Sequence, residues 1–272
     1  MAQLSDAHAG ERPLVEIDAL SKYFEKRGVR VDALADVSLA IRPKEFVALL
    51  GPSGCGKSTL LNVVAGFEAP STGRALFRGA PVTAPSPERA VVFQESALFP
   101  WLSVTDNVTF GPRIQGMAAA DYLPRAEQVI AQVGLQNFAG HYPSELSGGM
   151  RQRVGIARVL VMDPEVLLMD EPFGALDAQT RTLMQELLLD VWERYKQTVL
   201  FVTHDVEEAL LLADTVHVMS ARPGRIKRTI TVDLPRPRPS EVTTTPKFNE
   251  LKREILRLIR EEAIQAASES LR

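Results

Sequence analysis

Gly51-Pro52-Ser53-Gly54-Cys55-Gly56-Lys57-Ser58 matches the spacing G-x-x-x-x-G-K-[ST]. Glycines at these positions let the backbone curl so that successive N–H groups point inward at phosphate oxygens. A helix opening at Lys57 aims its positive end at the same charge. Lys57 suits the β and γ phosphates of a nucleoside triphosphate, and the Ser58 hydroxyl suits Mg²⁺. Thr59 follows directly and joins the candidate nucleotide contacts. A nucleoside triphosphate with Mg²⁺ is therefore the expected ligand. A glycine-rich turn that binds nothing is the plain alternative. Cys55 lies within the loop, so its thiol is expected near bound phosphate, where alkylation would block the nucleotide; a small residue merely tolerated there is the plainer reading.

Two further groups carry chemistry. Asp170-Glu171 closes the apolar run Val166 to Met169, which places two acids at the C-terminal end of a buried strand, the edge where open α/β sheets bind ligands. Asp170 suits the Mg²⁺ shell, and Glu171 is placed to polarise a water for in-line attack on a γ-phosphate. Ser147-Gly148-Gly149 then precedes a helical pattern with Val154, Ala157 and Val161 on its apolar face, ending before Pro164. Ser147 is a natural N-cap, and the glycines leave N–H groups open to a second phosphate. One nucleotide cannot easily use both helix ends of one fold, so a second copy is expected to supply one of them.

These groups need a frame. Phe46 to Leu50, continuous and apolar, reads as a strand buried on both faces, and Lys57 to Ala65 as the helix after it. Leu14 to Ile17 begins another strand. Val37 to Ile41 alternates with period 2, and Thr198 to Val202 repeats the buried run. Asp205-Val206-Glu207-Glu208 has capping-box spacing. Between residues 102 and 164 the periodicity turns helical, which predicts a helical insertion into an α/β core with a mostly parallel sheet. Residues 1–13 read as a polar tail, and 234–245, rich in Pro, Arg and Thr, as a linker with Arg236 and Arg238 extended and exposed. Residues 246–272 read as a final helix whose Phe248, Leu251, Ile255, Leu258 and Ile259 share a face packed on its own domain, with a partner surface as the alternative.

Composition narrows the function. The 272 residues carry 31 Lys plus Arg against 34 Asp plus Glu, a net charge of −3, which excludes a globally basic nucleic-acid binder. The apolar runs fall far short of the roughly 20 residues that span a bilayer. The polar N-terminus lacks an apolar signal core, and the single cysteine suits a reducing cytosol.

With Leu146-Ser147-Gly148-Gly149 beside the phosphate loop and the acid pair, the chain resembles the ATPase subunits of ABC transporters from about Leu14 to the final helix. The resemblance implies an ABC ATPase domain over 14–233: a P-loop NTPase core with an antiparallel β subdomain and the helical insertion. It implies a glutamine at Gln94 contacting Mg²⁺ and coupling to a membrane partner. Ser147, Gly148 and Gly149 would cover the γ-phosphate of the opposite subunit's ATP, and Asp177 would communicate across the dimer. His204 would position the γ-phosphate and the attacking water, and Phe24, or its neighbour Tyr23, would stack on adenine.

Gln94 to Trp101, the Phe173-Gly174 stretch and the Ser220 to Arg225 turn resemble the nitrate, sulfonate and taurine import ATPases, taurine importers most. That implies a homodimer on two transmembrane permease subunits, at the cytoplasmic face of the inner membrane, with an extracytoplasmic solute-binding protein as an indirect partner. Trp101 would line the groove for a permease helix, or pack within the insertion. The competing class is a non-transport ABC ATPase acting on nucleic acid or ribosomes. Tandem cassettes or a long insert between loop and signature mark those proteins, whereas Lys57 and Ser147 here stand 90 positions apart.

Overall fold

The computed structural model describes residues 12–26 and 28–270; the polar tail expected over 1–13 lies outside them up to residue 11. The chain begins with a long hairpin, β1 (Val15–Lys26) and β2 (Val29–Ile41), and then enters β3 (Phe46–Leu50). Helix α1 (Lys57–Ala65) returns along the sheet, and β4 (Thr72–Phe77) and β5 (Ala80–Pro81) complete the antiparallel layer β2-β1-β4-β5. The chain then forms β6 (Arg89–Val92), followed by α2 (Val104–Ile114), α3 (Ala119–Gln132) and α4 (Gly148–Leu160). These three helices fill the stretch expected to be a helical insertion.

Strand β7 (Val166–Asp170), helix α5 (Ala178–Tyr195), strand β8 (Thr198–Thr203) and helix α6 (Val206–Leu212) restore the strand–helix alternation. Strands β9 (Thr215–Met219) and β10 (Ile226–Thr231) close the main sheet, and α7 (Pro246–Ser270) lies outside it. The main sheet runs β10-β9-β3-β8-β7-β6 and is parallel except for the β10 edge. The expected mostly parallel sheet is present.

Alternation explains why β3 is apolar throughout. Phe46, Ala48 and Leu50 face a core shared with α4, α5, α6 and α7, while Val47 and Leu49 face a second core shared with α1 and the antiparallel layer. On the larger side Phe46 meets Trp192 edge-on at 5.9 Å and Phe201 at 5.8 Å. Phe248, Leu251, Ile255 and Leu258 of α7 are buried in that same core, as the apolar stripe predicts.

Two expectations need correction. The stretch 234–245 is not an exposed linker. Arg238 is only 4% exposed and donates to the carbonyls of Leu210 (3.1 Å), Ala213 (2.6 Å) and Val232 (3.1 Å). Helix α6 ends in free carbonyls that need donors, and a planar guanidinium reaches several at once. Arg236 lies over the Trp192 ring at 4.0 Å and donates to Asp214 at 2.8 Å. The Asp205–Glu208 capping box is only half formed. Asp205 accepts from the N–H groups of Glu207 (2.8 Å) and Glu208 (3.2 Å), but its own N–H donates to Thr203 Oγ1. The Glu208 side chain turns inward instead, accepting from Thr203 Oγ1 (2.5 Å) and Gln185 (3.0 Å).

Candidate active site at the C-terminal edge of the sheet

Strand register gathers the chemistry at one edge. Leu50 pairs with Thr203, Asp170 with Val202, and Val92 with Met169. The residues that follow, Gly51, His204, Glu171 and Gln94, therefore leave the sheet side by side.

The loop from Gly51 wraps the start of α1. Gly56 stands at the N-cap with φ 99°, and no side chain caps the helix, so its first-turn N–H groups remain open to a ligand. A Cβ on Gly56 would stand 2.8 Å from the Ala33 carbonyl oxygen, so β2 packs directly on the loop. Lys57 is buried and donates to the carbonyls of Gly51 (2.9 Å) and Pro52 (3.2 Å). The Ser58 hydroxyl donates to Asp170 Oδ1 at 2.9 Å. Burial raises the Asp170 carboxyl pKa and Glu171 adds to it, against the lowering effects of Ser58 and Lys57.

Glu171 sits between two nitrogen bases, with Lys57 Nζ 3.6 Å from Oε1 and His204 Nδ1 3.0 Å from Oε2. Its N–H adds one rung to the sheet by donating to Val202 at 3.0 Å, and its φ is 44°. A left-handed glutamate costs on the order of 1 kcal/mol and redirects the chain at the strand end. A carboxylate held this way can orient a water and accept its proton. Behind it, the Glu208–Thr203 bond fixes the segment that carries His204, and burial pushes the Glu208 carboxyl pKa up despite its two hydrogen bonds.

A cleft of about 240 Å³ opens here, lined by Phe24, Ser53, Gly54, Gly56, Lys57, Ser58, Thr59 and Glu171. Phe24 faces it and is 40% exposed, whereas Tyr23 stacks under Arg30, its ring 4.0 Å from the guanidinium. Of the two candidate aromatics, the structure brings Phe24 to the site. Gln94 is exposed on the flank, where a Cβ on Gly174 would meet its Nε2 at 3.3 Å.

Ser147 caps α4 through a 3.2 Å bond from Met150 N–H, which leaves Gly148 and Gly149 at the helix mouth. None of the three lines the Lys57 cleft among the described residues. Asp177 caps α5, accepting from the Thr180 N–H (3.0 Å) and hydroxyl (2.7 Å), and these bonds hold its carboxyl below the usual range. Trp101 is 71% exposed beside Phe99, so it does not pack inside the insertion.

Cys55 requires a correction. Its thiol is buried against the core, and a Cβ on Gly51 would come within 2.9 Å of its Sγ. Burial raises its pKa, so it has neither the exposure nor the thiolate character of a phosphate-side group. Arg222 also lines the cleft, a placement that no local motif signals. The signal was the order of β9 beside β3, which spacing alone does not reveal.

The parallel sheet with a glycine loop, an uncapped helix mouth and paired acids at one edge defines a P-loop nucleotide-binding cassette. Residues 34–174 match the ABC transporter family model. An uncharacterized ABC transporter ATP-binding protein of Methanocaldococcus jannaschii is 46% identical over 93% of both chains. The taurine import ATP-binding protein TauB of Jannaschia sp. is 49% identical, over 89% of this chain and 93% of its own. The aliphatic sulfonates import ATP-binding protein SsuB of Bacillus cereus is 43% identical, over 89% and 94%. A solved dimeric ATP-binding cassette in a post-hydrolysis state with ADP and Pi is 29% identical, over 81% of this chain and 99% of its own, with TM-score 0.70. The chain belongs to the ABC transporter family and is an ATP-binding ATPase of that family.

Proposed function

We propose that this chain is the ATPase subunit of an ABC importer for a small anion or zwitterion such as taurine, another sulfonate or nitrate. The observation that carries the mechanism is the separation of two glycine-bearing helix N-termini. The α1 mouth shares a cleft with Lys57, while the α4 mouth at Ser147 lies outside it. Two copies arranged head to tail bring each Ser147-Gly148-Gly149 mouth onto the γ-phosphate in the other copy's cleft, and Asp177 lies along the same seam. A single nucleotide then uses both.

Within each cleft Phe24 stacks on adenine, and Gly51 to Thr59 wrap the phosphates. Lys57 exchanges its loop carbonyls for the β and γ oxygens. Glu171 orients water for in-line attack and takes its proton, while His204 holds the γ-phosphate end of that line. Ser58 and Asp170 set a hydroxyl and a carboxylate oxygen side by side, a donor pair suited to Mg²⁺. No group of three His, Cys, Asp or Glu side chains that could hold a metal exists among the described residues. Ser58, Asp170 and Gln94 are the residues that would hold the ion. Mg²⁺ bound there would neutralise phosphate charge.

The importer reading is supported by the names of the relatives above. Two permease subunits and an external solute-binding protein complete the system. The chain itself sits peripherally at the cytoplasmic face of the membrane, and no described helix is long and apolar enough to cross it. Exposed Trp101 offers a contact for a permease helix. In a strain lacking this chain, growth on taurine as sole sulfur source should fail and sulfate should support it. Wild type should rescue growth and Glu171→Gln should not. Undiminished growth of the deletion strain on taurine contradicts the taurine reading and directs the test to other sulfonates and nitrate.

A further inference from the structure

The turn from Ser220 to Arg225 joins β9 to β10 beside the phosphate loop. Strand β9 is the parallel neighbour of β3, with Val218 opposite Leu50, so the chain leaving β9 emerges next to Gly51. The contact is close. A Cβ on Gly224 would stand 2.0 Å from the Cys55 carbonyl oxygen, so only glycine fits. Gly224 also exchanges two backbone bonds with β2, donating to Ala33 (2.9 Å) and accepting from Ala35 (3.0 Å). Loop, turn and antiparallel layer are thus locked together.

Helix α7 fastens the same turn from behind. The Ala221 N–H donates to Glu262 Oε2 at 2.9 Å, and Glu262 is buried while pairing with Lys227 at 2.8 Å. The turn carries Arg222 into the nucleotide cleft, where its Nε donates to the Gly54 carbonyl at 3.3 Å. That bond uses one of five donors. Among the described residues Arg222 has no carboxylate partner, although acids pair with many other arginines of this chain. The other cation of the cleft, Lys57, is a buried point charge already hydrogen-bonded to its own loop. A planar guanidinium with free donors, beside a cleft that takes a polyanion, is the group suited to phosphate oxygens.

We propose that Arg222 is a nucleotide-binding residue of this cleft, contacting phosphate oxygens of the bound nucleotide, and that Glu262 of α7 is its positioning residue. The proposal rests on the ATP-binding reading of the cleft. It gives the C-terminal helix a part in nucleotide affinity without contact to the nucleotide.

Calorimetric titration of ATP and ADP into the full chain tests it, with Arg222→Ala, Arg222→Lys, Glu262→Ala and the Arg222→Ala/Glu262→Ala double variant. Thermal melts identify any variant that fails to fold. Arg222→Ala should weaken both nucleotides about tenfold at low salt, in line with the loss of one charge-assisted contact. The deficit should shrink as salt rises, because a charge contact at an open cleft is screened and a brace on a neutral carbonyl is not. Arg222→Lys should keep part of the affinity. Glu262→Ala should weaken binding about threefold alone and add nothing on the Arg222→Ala background, the signature of acting through Arg222. Wild-type affinity in Arg222→Ala, a deficit independent of salt, or a full additional loss in the double variant overturns the proposal. Absence of ATP binding by the wild-type chain would instead overturn the reading on which it rests.

Discussion

Lys57 spends its donors on the Gly51 and Pro52 carbonyls and stands 3.6 Å from Glu171, so the charge that would meet phosphate is held ready inside the loop. Lys57→Ala should weaken ATP binding by roughly a hundredfold, the scale of a lost buried charge-assisted contact, and calorimetry measures it directly. Unchanged affinity would remove Lys57 from the site. Cys55 gives the opposite expectation. With its thiol buried and its pKa raised, the native chain should resist maleimide alkylation and label only on unfolding. Rapid native labelling that blocks ATP would contradict this placement. Residue placements that depend on local spacing were legible in the sequence: the octet, the acid pair and the Ser147 cap each lie within one turn or one strand end. Cys55 shows the limit, because position in the loop does not say which way a side chain turns: the buried thiol fits the plainer reading of a small residue tolerated there.

At the scale of elements, Arg238 joins pieces that are separate in sequence. It donates to carbonyls at the end of α6 and to Val232, and removing it leaves several buried acceptors unsatisfied. Burial, with Arg236 beside it, lowers its pKa to about 10, so it stays charged at neutral pH. Arg238→Ala should lower stability by about 3 kcal/mol in urea unfolding, with the larger loss around α6. A change below about 0.5 kcal/mol would mean that water replaces the guanidinium without penalty. Arg236 and Arg238 look exposed in sequence because alternating Pro and Arg has no hydrophobic period, the only local sign of burial. Strands Phe46–Leu50 and Thr198–Thr203 and helix Lys57–Ala65 were legible because their burial is written in their own residues. Glu208 illustrates the limit. Capping-box spacing pointed its carboxyl back to Asp205, but Thr203 and Gln185 bring a better-satisfied buried site from two other elements.

Across the whole molecule, the sheet order does what spacing cannot: it brings Arg222 to Gly54 and His204 to Glu171. The same packing encloses His217 of β9, whose Nδ1 lies 2.9 Å from Thr229 Oγ1. Burial lowers its pKa from 6.5 to about 4. Between those values the unfolded chain holds a proton that the folded chain does not, so stability rises with pH there and is complete above about 6.5. The loss on acidification to pH 4 should reach about 3 kcal/mol from this group. Denaturant unfolding of wild type and His217→Asn from pH 7 to pH 4 isolates it, and parallel profiles would show that His217 does not titrate in this window.

In the proposed head-to-tail pair, one chain holds half of each ATPase site. Light scattering of Glu171→Gln with saturating Mg-ATP tests it most directly. A stable species of twice the monomer mass is expected with ATP and a monomer with ADP, since binding closes the pair and hydrolysis, slowed about a hundredfold or more in the variant, reopens it. A variant that binds ATP yet remains monomeric, at concentrations where wild type hydrolyses it, would contradict the shared site.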